Sequence, residues 1–163
     1  MRVLLLSDTH IPSRARDLPD WVAESLERAD HVIHAGDFET PAAYETIEQL
    51  AAELTAVTGN MDGKLDLPEV ATVDLAGVRF VITHGTGPLE TYDERVAEIV
   101  TEHANGPTVG VSGHTHQVHD RTVDGNRLLN PGSATGASPA NAATVMVATV
   151  ENGSCSITTK GTQ

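Results

Sequence analysis

Residues 3–10 read Val-Leu-Leu-Leu-Ser-Asp-Thr-His. Four apolar residues in succession suit a strand covered on both faces, and the polar Ser7–His10 marks where it stops. The pattern recurs downstream: Val32 to Ala35 stops at Gly36-Asp37, and Leu54 to Thr58 stops at Gly59-Asn60. Two helical stretches lie between these runs. Pro19 to Arg28 sets Trp21, Val22, Leu26 and Ala29 on one face, with proline near the first turn. Thr40-Pro41 opens the second, which runs to about Glu53 with Thr40 as N-cap. This β-α-β-α-β succession is the signature of a parallel sheet with right-handed crossovers.

Working outward, the second half changes character. Val70 to Leu75 and Val78 to Thr83 flank Ala76-Gly77, a tight hairpin. A helix over Glu94 to His103 precedes a strand over Thr108 to Ser112. Four more strands follow, over Val118 to Val123, Arg127 to Leu129, Thr144 to Val150 and Ser154 to Thr159. Asp124-Gly125-Asn126 and Asn152-Gly153 read as hairpin turns, because Gly and Asn tolerate positive φ. This half therefore reads as mostly antiparallel. The expected fold is α/β: two packed mixed β-sheets, a β-sandwich flanked by helices, in a single domain over residues 1–163.

Composition narrows the function. Twenty-three acidic residues face ten basic ones, giving a formal charge of −13. Nothing basic clusters beyond Arg14-Ala15-Arg16, so a duplex nucleic-acid binder is not expected. The excess of acid, with only two lysines, Lys64 and Lys160, fits a protein adapted to high salt, where screening removes self-repulsion. No apolar run reaches the ~18 residues of a membrane span, and the N-terminus shows no signal-peptide pattern. Cys155 is the sole cysteine, which excludes an internal disulfide and a cysteine zinc site. The expected location is cytoplasmic.

Five predicted strands each end in a group able to bind metal: Asp8-Thr9-His10, Gly36-Asp37, Gly59-Asn60, His84-Gly85 and Gly113-His114-Thr115-His116. In open α/β sheets ligands gather beyond the carboxyl ends of strands, so these points can converge. Singly they are weak: Asp8-Thr9-His10 reads as a loop, Gly36-Asp37 and Asn60 as turns. Gly-His-Thr-His is stronger, because alternate residues of an extended segment point the same way, though it would equally serve a mononuclear site. Taken together and in order, the five point to a metal centre. Imidazole and carboxylate suit Mn, Fe, Co, Ni or Zn, and an amide oxygen completes a shell. Two divalent cations about 3.5–4 Å apart need a bridge, which a carboxylate such as Asp37 can supply, with water as a second bridge. Bound water falls in pKa towards ~7, giving a hydroxide that attacks phosphorus in line.

Asp-x-His, Gly-Asp, Gly-Asn, His-Gly and Gly-His-x-His, in that order, resemble the calcineurin-like metallophosphoesterase superfamily. Gly59-Asn60-Met61-Asp62 and the late Asn130-Pro131-Gly132-Ser133 resemble its small bacterial and archaeal YfcE-type phosphodiesterases. The resemblance runs from Arg2 to about Val150. It implies a β-sandwich flanked by helices in four layers. It also implies one metal held by Asp8, His10, Asp37 and His116, and another by Asp37, Asn60, His84 and His114. Asp37 would bridge them, with Asp37, Asn60 and His84 closest to catalysis, and manganese would be the first choice of metal. Many members carry a proton-donating His directly after the Asn. Here that position is Met61, whose thioether neither donates nor carries charge.

Further residues are weaker candidates. Asp62 reads either as a turn residue or as a group orienting a ligand. His34, three before Asp37, reads as a core or supporting histidine, and Asn130 and Ser133 as supports or substrate-side groups. His31, His103 and His119 read as surface residues. The expected activity is a metal-dependent phosphodiesterase acting on a small phosphodiester or nucleotide-like substrate. Rival readings are another phosphoesterase, such as a dinucleoside polyphosphate hydrolase, and a non-catalytic scaffold like the retromer subunit that resembles this family. A homo-oligomer stays open.

Overall fold

A computed structural model of the protein describes residues 1–161. Ten strands form two five-stranded sheets. The first contains β1 (Arg2–Leu6), β2 (His31–His34), β3 (Leu54–Ala56), β9 (Thr144–Glu151) and β10 (Ser154–Gly161), in the order β10-β9-β1-β2-β3. The second contains β4 (Val70–Leu75), β5 (Val78–Thr83), β6 (Thr108–Val111), β7 (Val118–Val123) and β8 (Asn126–Pro131), in the order β4-β5-β6-β8-β7. Helices α1 (Asp20–Glu27) and α2 (Pro41–Leu50) link β1, β2 and β3, and α3 (Tyr92–His103) links β5 to β6.

The apolar run of β1 serves two cores. Val3 and Leu5 face the space between the sheets, meeting Phe80, Ile82, Val111, Leu129 and Met146. Leu4 and Leu6 face outward, under Val22 and Leu26 of α1 and Ala43 and Ile47 of α2. On the far side α3 lays Val96 and Val100 over Val81 and Leu128. The layers are therefore helix, sheet, sheet, helix, as expected.

The second sheet is mixed, as expected, and the strands from β4 onward pair mostly antiparallel. β5 pairs parallel with β6, and β6 parallel with β8, while the outer pairs β4–β5 and β7–β8 are antiparallel. The physical reason for the first pair is α3, whose crossover returns β6 alongside β5 in the same direction. β9 and β10 leave this sheet to pair antiparallel on β1.

Helix α2 stops at Leu50, three residues short of the expected Glu53. Glu53 O accepts from Val32 N at 2.8 Å, so the chain must already be extended before β3 begins. Its start matches expectation: the Thr40 hydroxyl accepts from Ala43 N, with Pro41 first in the helix. His31 is a correction, because it is buried and its Nε2 lies 2.8 Å from Thr55 Oγ1. His119 is also partly covered, its ring set edge-on to Tyr92. Among the described residues no helix is long and apolar enough to cross a membrane.

Candidate metal centre

Parallel strands β1, β2, β3, β5 and β6 all end at one rim of the sandwich, and the five ligand-bearing segments follow directly from them. The backbone there turns sharply. Asp8 (φ 53°), His10 (46°), Asp37 (62°), His114 (71°) and His116 (59°) all adopt left-handed conformations. Such a φ costs about 1–2 kcal/mol for a residue with a Cβ, and its clustering at one place is typical of functional loops. The Gly113–His116 segment is therefore not extended, as the sequence suggested. Thr115 N instead closes a tight turn on Gly113 O at 2.8 Å, and the two histidines diverge.

His116 turns one way. Its Nε2 lies 3.3 Å from Asp8 Oδ1 and 3.2 Å from His10 Nε2. His114 turns the other, with Nδ1 3.2 Å from Asn60 Oδ1, which is in turn 3.1 Å from His84 Nε2. Asp37 Oδ2 stands between, 3.4 Å from His10 Nε2 and 3.2 Å from His84 Nε2. Asp8, His10 and His116 form one group whose ligand atoms lie within 4.8 Å of one another, and Asp8, Asp37 and His84 form another. Asp8 thus belongs to both groups, while Asp37 belongs to the second and meets the first at His10. All seven side chains meet here.

The donor chemistry fits cations. His84 Nδ1 sits 2.7 Å from Ala35 O, and His116 Nδ1 2.8 Å from Ala137 O. A carbonyl only accepts, so both Nδ1 atoms carry a proton and the Nε2 atoms face inward, donating to Asp37 and Asp8 when protonated and free to take a cation when not. His10 Nε2 and His116 Nε2 face each other at 3.2 Å, a pair that either shares one proton or offers two lone pairs to a cation. The acids agree. Burial opposes charge on Asp8, but hydrogen bonds from His10 and His116 and the nearby His84 hold it well below the usual carboxylate range. Burial opposes charge on Asp37 too, and the His84 hydrogen bond outweighs it to lower that pKa. His84 and His116 are raised despite burial, the first by Asp37 and the second by Asp8. His114 is lowered, by burial first and by the charge on His84 next.

Around this centre lie groups that shape it without reaching it. Asp62 is fully buried and accepts from Asp37 N and Glu39 N at 2.7 Å each and from Gly59 N at 2.8 Å, tying the loop after β2 to the loop after β3. Met61 N donates to Asp37 Oδ1 at 2.9 Å, which leaves Oδ2 to face the histidines. Gly36 and Gly59 let these loops touch: a Cβ on Gly59 would collide with Asp37, and one on Gly36 would lie 2.8 Å from Gly59 N. His34 is buried, accepts from Gly36 N at Nδ1 and stacks on Phe38 at 3.6 Å. Burial takes its pKa down to about 3. Asn130 and Ser133 are fully buried beneath the loops. Asn130 Nδ2 donates to Gly113 O and Thr115 Oγ1, and Ser133 Oγ donates to Asp8 O.

Two contributors were not singled out from the sequence. Glu39, at φ 90°, brings Oε2 to 3.7 Å from the buried, otherwise unpartnered His10 Nδ1. The Tyr92 hydroxyl lies 2.7 Å from both Ser112 Oγ and Gly113 O under the histidine loop, its one proton going to the carbonyl while the serine hydroxyl can donate to it. A Glu two residues past Gly-Asp was visible in the sequence, but nothing marked Tyr92. Beside Asn60 and His84 opens a cleft of about 450 Å³, lined also by Thr58, Glu69, Thr86 and Arg95.

Known proteins resemble this chain to differing depths. A probable metallophosphoesterase of Methanothermobacter thermautotrophicus is 33% identical over 137 residues, covering 83% of this chain and 78% of its own. The solution structure of a Thermotoga maritima protein is 32% identical and superposes with a TM-score of 0.75 over 99% of both chains. A single mutant of Vps29 from Entamoeba histolytica superposes with a TM-score of 0.78 over 100% of both chains, at 25% identity. The sequence model of the calcineurin-like phosphoesterase superfamily domain matches residues 1–153. That match spans all seven of the converging side chains, and with it the chain belongs to the calcineurin-like phosphoesterase superfamily.

Proposed function

We propose that the protein is a metal-dependent phosphodiesterase acting on small, activated diesters of phosphodiester or nucleotide-like type. The observation that carries this reading is the Asp37 carboxylate, one oxygen of which faces His10 and His84 from either side. Two divalent cations bound there, manganese first among Mn, Ni, Co, Fe and Zn, supply acidified water and positive charge against phosphoryl oxygens.

The chain's own residues do the remainder. Asp8, His10, Asp37 and His116 hold one cation, and Asp37, Asn60, His84 and His114 the other. The Met61 amide occupies Asp37 Oδ1, leaving Oδ2 as the oxygen that would face the cations. The Ala35 and Ala137 carbonyls fix the tautomers of His84 and His116. Met61 itself is 41% exposed beside Asn60, where it offers the leaving group no proton. The centre therefore favours leaving groups that depart as stable anions.

Hydrolysis of bis-p-nitrophenyl phosphate with added Mn²⁺ or Ni²⁺, set against a chelated control and against p-nitrophenyl phosphate, tests this. Expected are metal-dependent turnover, diester preferred over monoester, and loss of both turnover and one cation in Asp37→Asn. Full turnover by Asp37→Asn would sink the proposal.

A second reading, a scaffold working through protein contacts, takes its support from the fold shared with Vps29 along the whole chain. Completeness of the seven-residue ligand set favours catalysis. A chain that binds no metal and hydrolyses none of these esters would leave the scaffold standing.

A further inference from the structure

Three of the four histidines at the centre have a ring nitrogen held by a backbone carbonyl, but not the same nitrogen. His84 and His116 use Nδ1, on Ala35 O and Ala137 O. His114 uses Nε2, 3.1 Å from Gly87 O, and so turns Nδ1 towards Asn60. Ala35 directly follows β2 and is wholly buried, and Ala137 is 1% exposed. Gly87 belongs to a thin surface loop between β5 and α3, with Thr86, Pro88 and Leu89 all exposed. A carbonyl in such a loop keeps its aim only if something anchors the loop.

The anchor is Arg95, from the second turn of α3. Its Nη2 donates to Gly85 O at 2.8 Å and to Pro88 O at 3.2 Å, on either side of Gly87, and Nη1 donates to Thr91 Oγ1 at 3.0 Å. The guanidinium lies so close beneath the loop that a Cβ on Gly87 would stand 3.0 Å from Arg95 Cζ. Five fixed donors in one plane suit this task, and a lysine would not reproduce the fork. No carboxylate pairs with this cation among the described ion pairs, so its partners are the loop's own oxygens.

We infer that Arg95 is a positioning residue for one half of the centre: through the Gly87 carbonyl it sets the tautomer and aim of His114, and thereby the affinity of the cation shared by Asn60, His84 and His114, leaving the Asp8–His10–His116 half untouched. This rests on the metal-binding reading above. Groups that orient a metal-binding histidine typically change metal affinity by about 10- to 100-fold.

The test compares the full-length wild type with Arg95→Met, which keeps an apolar stem, and Arg95→Lys, which keeps the charge but not the fork. Co²⁺ alone is titrated in each and followed by visible absorption and calorimetry. In the metal-free proteins, nitrogen-15 spectra of the imidazoles are recorded above the histidine titration range. Expected in Arg95→Met is one binding step weakened about 10- to 100-fold while the other moves by less than about threefold. The His114 ring should change from the Nε2–H tautomer to a mixture, with His84 and His116 unchanged. Arg95→Lys should fall between. Equal weakening of both steps, or an unaltered His114 tautomer, overturns the inference. A wild type that binds no Co²⁺ overturns the metal reading instead, and the tautomer measurement still decides the role of Arg95.

Discussion

Met61 and Asp37 show how much a single side chain settles here. Asp37 has one oxygen occupied by the Met61 amide and one facing two histidines, so backbone hydrogen bonding chooses which atom is available. The side chain of Met61 projects beside the same centre without a proton to give. Replacing it with histidine restores a donor at that position. General acids contribute about 10²- to 10⁴-fold for poor leaving groups, so Met61→His should raise turnover of an alkyl phosphodiester by about 10²-fold or more. Turnover of bis-p-nitrophenyl phosphate, whose leaving group needs no proton, should hardly move. Steady-state rates on the two esters measure this, and an equal effect on both would remove Met61 from the leaving-group side.

Between elements, the decisive contacts run from loop to loop. The Asp62 carboxylate gathers three amides from two loops, and cutting it back strands one buried and two half-buried donors at once. Each unmatched buried donor costs about 1–3 kcal/mol, so Asp62→Ala should lower stability by about 3 kcal/mol or more in denaturant melts and weaken cation binding. Strand ends were legible because the apolar runs stop at Gly, Asn and Asp, and the helix start at Thr40-Pro41 because its cap chemistry is local. Pairing was less so. That β8 inserts between β6 and β7, and that β9 lies on β1, are choices among distant partners with no local marker. Asp8, His10, Asp37, Asn60, His84, His114 and His116 were readable as a set, since each follows a strand directly. Tyr92, Arg95 and Gly87 were not, because they act through backbone oxygens that any sequence would provide.

For the molecule as a whole, ionisation and metal are linked. His34, lowered by burial to about 3, His119, lowered by burial and then Arg121 to about 4, and His31, lowered by burial, all stay neutral when folded yet protonate near 6.5 when unfolded. The unfolded chain then binds more protons, so these groups lower stability as pH drops below about 6.5 towards their folded values. His84 and His116 are raised, so in chelated protein their stabilisation is complete below about 6.5 and lost as pH climbs through their folded values. Metal displaces those protons. The rise in melting temperature on adding Mn²⁺ should accordingly grow from pH 6 to pH 8, and a shift that shrinks would contradict the linkage. The charge of −13 adds a second dependence: melting temperature should climb from low to molar salt as self-repulsion is screened, and an unchanged value would count against adaptation to salt.

The two sheets are also joined far from the metal rim. At the opposite end the turn between β4 and β5 meets the turn between β9 and β10, where Gly153 N donates to Ala76 O at 2.9 Å. At the metal rim the corresponding fastening is the centre itself, with Asp8, Asp37 and Asn60 contributed by one sheet and His84, His114 and His116 by the other. If the centre binds cations as proposed, the sandwich has a permanent tie, its hinge, at Ala76–Gly153 and a removable clasp at the lip. Withdrawing the clasp with chelator should speed amide hydrogen exchange in the loops after β1, β2 and β5 while leaving the hinge turns as slow as before.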